Sequence, residues 1–378
     1  MVEALLLLGL AVAAFVGFNI GGSSTGVAFG PAVGTGVTTK LLAAALMSAF
    51  ALLGGWTVGR NVIRTMGGEI VPRTQFSLEA SVAVLFFVGI ALLLSNTFGV
   101  PASTSMTAVG AIAGLGVATG TLNEAVMLEI VSWWIVAPVI AFWVCAVVGR
   151  YVYPPLQRRV DLERSPGALV RFTPLPRRGP DTTWRELASV ALVVAIACYM
   201  AFSAGASNAA NAVAPLVGGG FLRPGEGVLL AGGAIAVGAF TIARRTLDTV
   251  GNDLTDLPLL AALIVETVSA SLITFLSYLG IPASLAVSAT MCIVGLGWGR
   301  ATRTVTIDEA VAGEAPEVSV NALAGEDEPG PLGEEESDEL LAGDLFDPTT
   351  TGRVVFFWLL TPSISAVASY LLFRLAPI

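Results

Sequence analysis

The sequence predicts an all-α polytopic membrane protein, built as two related halves that cross the bilayer in opposite senses. About 10–12 transmembrane segments are expected, some of them broken or re-entrant. Three observations predict this class. Of 378 residues, 55% are hydrophobic and only 12% charged, which is the composition of a chain that lives in lipid. Apolar runs long enough to span, or nearly span, a bilayer recur in two sets of five. The stretch GGSSTGVAFGPAVG at 21–34 also aligns without a gap to GASNAANAVAPLVG at 205–218, pairing Gly21 with Gly205, Ser23 with Ser207, Pro31 with Pro215 and Gly34 with Gly218 at an offset of 184.

The first set of apolar runs lies near 3–20, 41–59, 78–98, 101–118 and 126–149, and the second near 187–204, 226–243, 257–279, 282–299 and 354–375. The opening run resembles a signal-peptide core, but it lacks a basic leader and its repeat partner is internal, so it is read as a retained span. Duplication extends past the first motif. Arg60, Thr65, Gly67 and Glu69 match Arg244, Thr249, Gly251 and Asp253 at the same offset. Pro101-Ala102-Ser103 matches Pro282-Ala283-Ser284, and Gly114-Leu115-Gly116 matches Gly295-Leu296-Gly297, both at an offset of 181. Trp134 and Pro138 share a W-x-x-x-P spacing with Trp358 and Pro362.

Five spans per repeat force the second copy to enter the membrane upside down, and alternating access follows from that inverted symmetry. The Gly-, Ser- and Asn-rich motifs at 21–34 and 205–218 are expected to interrupt their helices. Irregular backbone at membrane depth is tolerated only when buried in protein or lining a wet cavity. Matched interruptions in two halves point to the binding site of a secondary transporter.

The resulting organisation is a first repeat over 1–149, a basic linker over 150–186, four spans of the second repeat over 187–300, an acidic loop over 301–353 and the last span over 354–378. The linker carries Arg150, Arg158, Arg159, Arg164, Arg171, Arg177, Arg178 and Arg185, which places it in the cytoplasm by the positive-inside rule. Arg60, Arg64 and Arg73 then fall on the outer side, against that rule. Residues 307–348 hold fourteen acids and no base, and they account for the net charge of −9; the other 14 acids face 19 bases. Such a run reads as a disordered, solvated loop.

The chain has no histidine, which removes the commonest catalytic base, proton shuttle and metal ligand. Cys145, Cys198 and Cys292 sit within apolar runs and read as small hydrophobes. No metal-spaced ligand set and no nucleophile-base arrangement is visible. An enzyme is not expected, nor a nucleic-acid partner, a resident metal or a cofactor.

A transported anion leaves water and needs hydrogen-bond donors in its place. Ser23, Ser24 and Thr25 in the first motif, and Ser207, Asn208 and Asn211 in the second, supply neutral ones. The competing reading is that small polar residues only let helices pack closely; their duplication favours a site. In PASTSM, Pro101 suits a first helical turn and Ser103, Thr104 and Ser105 can cap amides. Its twin keeps Ser284 but has Leu285 and Ala286 in place of Thr104 and Ser105, so the site is expected to be asymmetric. Glu266 lies mid-span in LPLLAALIVETVSASLITF, and an ionisable group at that depth is a functional candidate.

These motifs resemble those of the inorganic phosphate transporter (PiT) family over both repeats. Its members carry a GAND-x-AN-x-x-G-P-like motif in each half and a PVSTTH-like motif later. The resemblance implies an inverted-repeat secondary transporter in the cell membrane, commonly a homodimer, moving phosphate with Na⁺ or H⁺. With the reading of the residues, the expected substrate contacts are Ser23, Ser24, Thr25, Ser103, Thr104, Ser105, Ser207, Asn208, Asn211 and Ser284, with Asn208 and the mid-span Glu266 as coupling-ion candidates.

The departures bear on the chemistry. The motif aspartate is Ser24 in one half and Asn208 in the other, the later asparagine becomes Val27 in the first half, and the motif histidine is Met106 or Val287. With both carboxylates gone, sulfate or another oxyanion is the alternative substrate, and a non-transporting phosphate sensor is the alternative of another class.

Overall fold

The computed structural model describes residues 2–97, 103–159, 170–172, 176–178, 183–241, 258–302 and 348–376. The first repeat comprises α1 (Val2–Gly34), α2 (Lys40–Thr57), α3 (Gly59–Met66), α4 (Leu78–Thr97), α5 (Thr104–Thr119) and α6 (Glu124–Val147). A π-turn then leads into α7 (Tyr153–Arg159), and a small antiparallel ladder pairs β1 (Val170–Phe172) with β2 (Pro176–Arg178). The second repeat comprises α8 (Trp184–Gly218), α9 (Pro224–Thr241), α10 (Leu259–Tyr278), α11 (Leu285–Ala301) and α12 (Pro348–Leu375). Most of the acidic loop, the duplicated link at 244–253 and Pro101 lie outside the described residues.

Among the described residues, ten apolar helices correspond to the ten expected runs. Seven are long and apolar enough to cross a membrane, and Leu78–Leu94, Thr104–Thr119 and Leu285–Arg300 are shorter. The protein is a multi-pass integral membrane protein. Outward-facing Leu128, Ile135, Trp143 and Val147 on α6 are exposed apolar side chains, as a lipid-facing surface requires.

The repeats are inverted in space. Gly9 near the start of α1 packs against Leu216 near the end of α8, so these two helices run in opposite directions. Gly17 and Gly21 of α1 meet Ala231 and Ile235 of α9, and the mirrored contact sets Gly205 of α8 against Ala51 of α2 and Gly54 of α2 against Phe202 of α8.

This packing corrects one expectation. The motifs at 21–34 and 205–218 do not interrupt their helices: α1 runs unbroken for 33 residues and α8 for 35. A Cβ on Gly21 would strike the Ile235 carbonyl, and one on Gly205 the Ala51 carbonyl. The small residues are there so that two backbones can touch.

Helix starts in the interior lie elsewhere, on the returning arms of two re-entrant hairpins. α4 runs parallel to α1, with Val82 against Gly9 and Gly89 against Phe15. α5 then turns back: Gly116 packs on Val71 and Leu122, and the Asn123 amide donates to the Ile70 carbonyl at 2.9 Å, on the side where α4 begins. The second hairpin does the same. Leu260 and Ala261 at the start of α10 share a cluster with Cys292 and Leu296 toward the end of α11. Gly280, at φ +82, makes the turn between its arms, a conformation that glycine adopts without strain.

Each returning arm packs on the other repeat's last helix. Gly110 and Gly114 of α5 meet the Pro362 and Ala366 carbonyls of α12, while Gly295 and Gly299 of α11 meet the Phe142 and Ala146 carbonyls of α6. Ser365 and Ser369 of α12 donate to the Thr107 and Ala111 carbonyls of α5 at 2.8 and 2.6 Å. The two repeats are thereby interlocked around the hairpin tips.

Candidate functional site

Each hairpin tip begins a helix, and serine caps both. Ser103 Oγ accepts from the Met106 amide at 3.3 Å, and Ser284 Oγ accepts from the Val287 amide at 3.3 Å. The capped helix starts bring the positive ends of α5 and α11 into the protein interior, where a developing or transported anion is favoured.

A cavity lies between these tips and the motif stretches of α1 and α8. Its polar lining is Asn19, Ser23 and Ser24 from α1, Thr104 from α5, Asn208 from α8 and Ser284 from α11; Val27, Leu92, Leu285 and Ala286 complete it. None of these lining side chains carries a charge. The cavity offers neutral hydroxyl and carboxamide groups together with two helix N-termini, a donor set that can replace part of an oxyanion's hydration shell without a countercharge.

The half of the site on α8 is cross-braced. Asn208 Oδ1 accepts from Thr104 Oγ1 and, at 3.0 Å, from Asn211 Nδ2. Asn211 Nδ2 also reaches Thr104 Oγ1 and Ser105 Oγ, each at 3.2 Å. These bonds staple the first hairpin tip to α8. At the second tip, Leu285 and Ala286 replace Thr104 and Ser105, and α1 has Ser24 and Val27 where α8 has Asn208 and Asn211, so the side chains of the matching network are not present there.

Of the sequence-predicted residues, Ser23, Ser24, Thr104, Asn208 and Ser284 line the cavity. Ser105 and Asn211 stand behind Thr104, and Ser103 serves as the cap. Thr25 is fully buried and donates to the Gly21 carbonyl at 2.7 Å, while Ser207 donates to the Ala204 carbonyl at 3.3 Å. Neither lines the cavity.

Glu266 is 4% exposed on α10 and does not line the cavity either. Its Oε1 is buried without a hydrogen-bond partner among the described residues, as is Asn211 Oδ1. The residue that the sequence reading missed is Asn19, one helical turn before Ser23 on the same face. That four-residue spacing was the available signal.

Comparison with known proteins places this geometry in context. The model of the Phosphate transporter family matches residues 20–369. The sulfate permease CysP of Bacillus subtilis is 30% identical over 76% of this chain and 75% of its own. A phosphate permease of Pyrococcus furiosus is 23% identical over 80% of this chain and 88% of its own. Among solved structures, a sodium-dependent phosphate transporter superposes with a TM-score of 0.71, covering 99% of both chains at 17% identity, a likeness of fold.

Proposed function

Because the chain belongs to the phosphate transporter family, we propose that it carries a small tetrahedral oxyanion, inorganic phosphate, across the membrane by alternating access. The observation that carries this reading is the meeting of two capped helix N-termini and six neutral polar side chains in one cavity between inverted repeats. Ser23, Ser24, Thr104, Asn208 and Ser284 contact the anion, and Ser105 and Asn211 hold Thr104 in place. Ser103 sets the helix end. Thr25 and Ser207 support their helices.

Coupling to Na⁺ or H⁺ belongs to the same proposal. The likeness of fold to a sodium-dependent phosphate transporter supports Na⁺, as does the buried carbonyl oxygen Asn211 Oδ1 close to the substrate groups. Glu266 supports H⁺, since a carboxyl held away from water in a re-entrant arm is a proton carrier by character. Its repeat position, Leu85, is a hydrocarbon. A homodimer, the linker 150–186 on the cytoplasmic side, and the five-part division of the chain complete the reading.

Sulfate is the second reading, favoured by two observations. The cavity lining has no carboxylate, and a relative at 30% identity is named a sulfate permease. Hydrogen phosphate brings a P–OH that must donate to an acceptor, and a carboxylate serves that purpose while repelling sulfate. A lining without one withdraws both effects.

Uptake of labelled phosphate and of labelled sulfate into proteoliposomes, with and without an inward Na⁺ or H⁺ gradient, tests the proposal. Saturable, gradient-driven phosphate uptake supports the first reading. Sulfate uptake that phosphate does not inhibit establishes the second, and binding of either anion without flux identifies a sensor. Glu266→Gln is expected to abolish accumulation driven by a proton gradient while leaving one-for-one exchange; accumulation equal to wild type removes Glu266 from coupling.

A further inference from the structure

We propose that Trp134 is the positioning residue of the second hairpin tip and that Pro138 lets the turn of α6 that carries it move with that tip, an inference that rests on the proposed transport reading. The W-x-x-x-P spacing of Trp134 and Pro138 recurs at Trp358 and Pro362, and neither pair lines the cavity. Trp134 Nε1 donates to the Pro282 carbonyl at 2.8 Å, which joins α6 of the first repeat to the loop between α10 and α11. Two residues further on, Ser284 caps α11 and lines the cavity. The indole thus grips the second tip next to its substrate-facing end.

The second tip needs such a hold. The first is tied to α8 through Thr104, Ser105, Asn208 and Asn211, whereas Leu285 and Ala286 bring no hydrogen-bonding side chain to the second. Backbone carbonyls serve there instead. Pro282 has no N–H, so the Tyr278 carbonyl four residues before it lacks a helical donor. Asn61 Nδ2 of α3 donates to that carbonyl at 2.9 Å. Asn61 and Trp134 therefore hold the loop on both sides of the Gly280 turn, and both holds come from the first repeat. A loop carbonyl left without a donor at membrane depth is costly, so these contacts fix where the loop rests.

Pro138 acts on the same turn of α6. The helix runs from Glu124 to Val147 with Pro138 inside it. The bond that this proline removes is the one that the Trp134 carbonyl would accept, four residues back, so the helix is loosened at the turn that carries the indole. Beyond the proline, the Phe142 and Ala146 carbonyls lie against Gly295 and Gly299 of α11. α6 is thus fixed to the body of the second hairpin on one side of Pro138 and to its tip on the other. A tip that shifts as the cavity opens takes the indole with it, and the turn between the two holds yields. Pro362 of α12, whose carbonyl meets Gly110 of α5, puts the same spacing beside the first hairpin.

The test is transport kinetics of Trp134→Phe and Pro138→Ala for labelled phosphate and sulfate in proteoliposomes, with melting temperatures in detergent. Trp134→Phe keeps an aromatic ring and loses the N–H donor. Because Asn61 still holds the Tyr278 carbonyl, the resting cavity stays, so KM for the carried anion should remain within about twofold of wild type while kcat falls by about tenfold, the size of one lost hydrogen bond. Pro138→Ala restores a helical bond and stiffens the turn. It should also lower kcat by about tenfold at an unchanged KM, yet melt at or above the wild-type temperature. That pairing of slower turnover with undiminished stability is not what a packing role gives. A wild-type kcat per folded molecule in either variant overturns the inference, and so does a parallel loss of kcat, KM and stability in Pro138→Ala. If Trp134→Phe does not fold, Pro138→Ala decides alone. Failure of wild type to move either anion overturns the transport reading instead.

Discussion

Asn208 accepts two hydrogen bonds in the interior, from Thr104 and Asn211, and it also borders the cavity. Removing it leaves Thr104 and Asn211 with unmatched donors at a cost of about 1–3 kcal/mol in a buried setting, and takes one contact from the substrate. Asn208→Ala should reduce transport by tenfold or more while membrane yield and oligomeric profile stay near wild type, since α8 keeps its packing. Ser103→Ala should act differently. It deletes a helix cap at a cost of about 1 kcal/mol, so it should loosen the first hairpin tip and lower both transport and thermal stability. Wild-type transport in both variants contradicts the site. These roles were partly legible beforehand. Polar residues in duplicated apolar surroundings pointed to the right stretches, but which way each side chain turns depends on the neighbouring helix. Thr25 and Ser207 turn away for that reason, and Asn19, outside both motifs, turns in.

At the scale of the element, composition and conformation separate. The Gly-rich motifs carry the marks of a broken helix, yet α1 and α8 pass straight through them because each is pressed against a partner backbone. Helix propensity penalises glycine by about 1 kcal/mol in water, and close helix contact in lipid offsets that cost. No sequence rule for breakers contains the partner. Gly205→Val should therefore act as a packing mutation: its side chain collides with the Ala51 carbonyl, and overpacking of this kind costs about 1–3 kcal/mol or more. The expected outcome is a lower yield and a lower melting temperature in detergent. Stability equal to wild type would show that α2 and α8 are not in backbone contact. The hairpins were legible only as apolar runs. That α5 and α11 return to the side they came from follows from where Gly116 and Leu296 pack, which no hydropathy profile reports.

For the whole molecule, the duplication was readable from residue matches and its inversion from the odd number of apolar runs per repeat, and the ten runs appear as ten helices among the described residues. The interlock of α5 with α12 and of α11 with α6 was not readable, because it joins segments more than a hundred residues apart through glycine contacts. That interlock surrounds the cavity with parts of both repeats and leaves the two tips unequal, one stapled to α8 by hydrogen bonds and one faced with Leu285 and Ala286. The central claim is that this cavity is the place that opens to each side of the membrane in turn. Ser24→Cys tests it directly. Ser24 borders the cavity, and the three native cysteines are buried, so labelling by a membrane-impermeant thiol reagent reports on the new residue. In vesicles of either orientation, Ser24→Cys should react from both sides, and the transported anion should slow the reaction from both. Reaction from one side only, or a rate indifferent to phosphate and sulfate alike, would contradict the account.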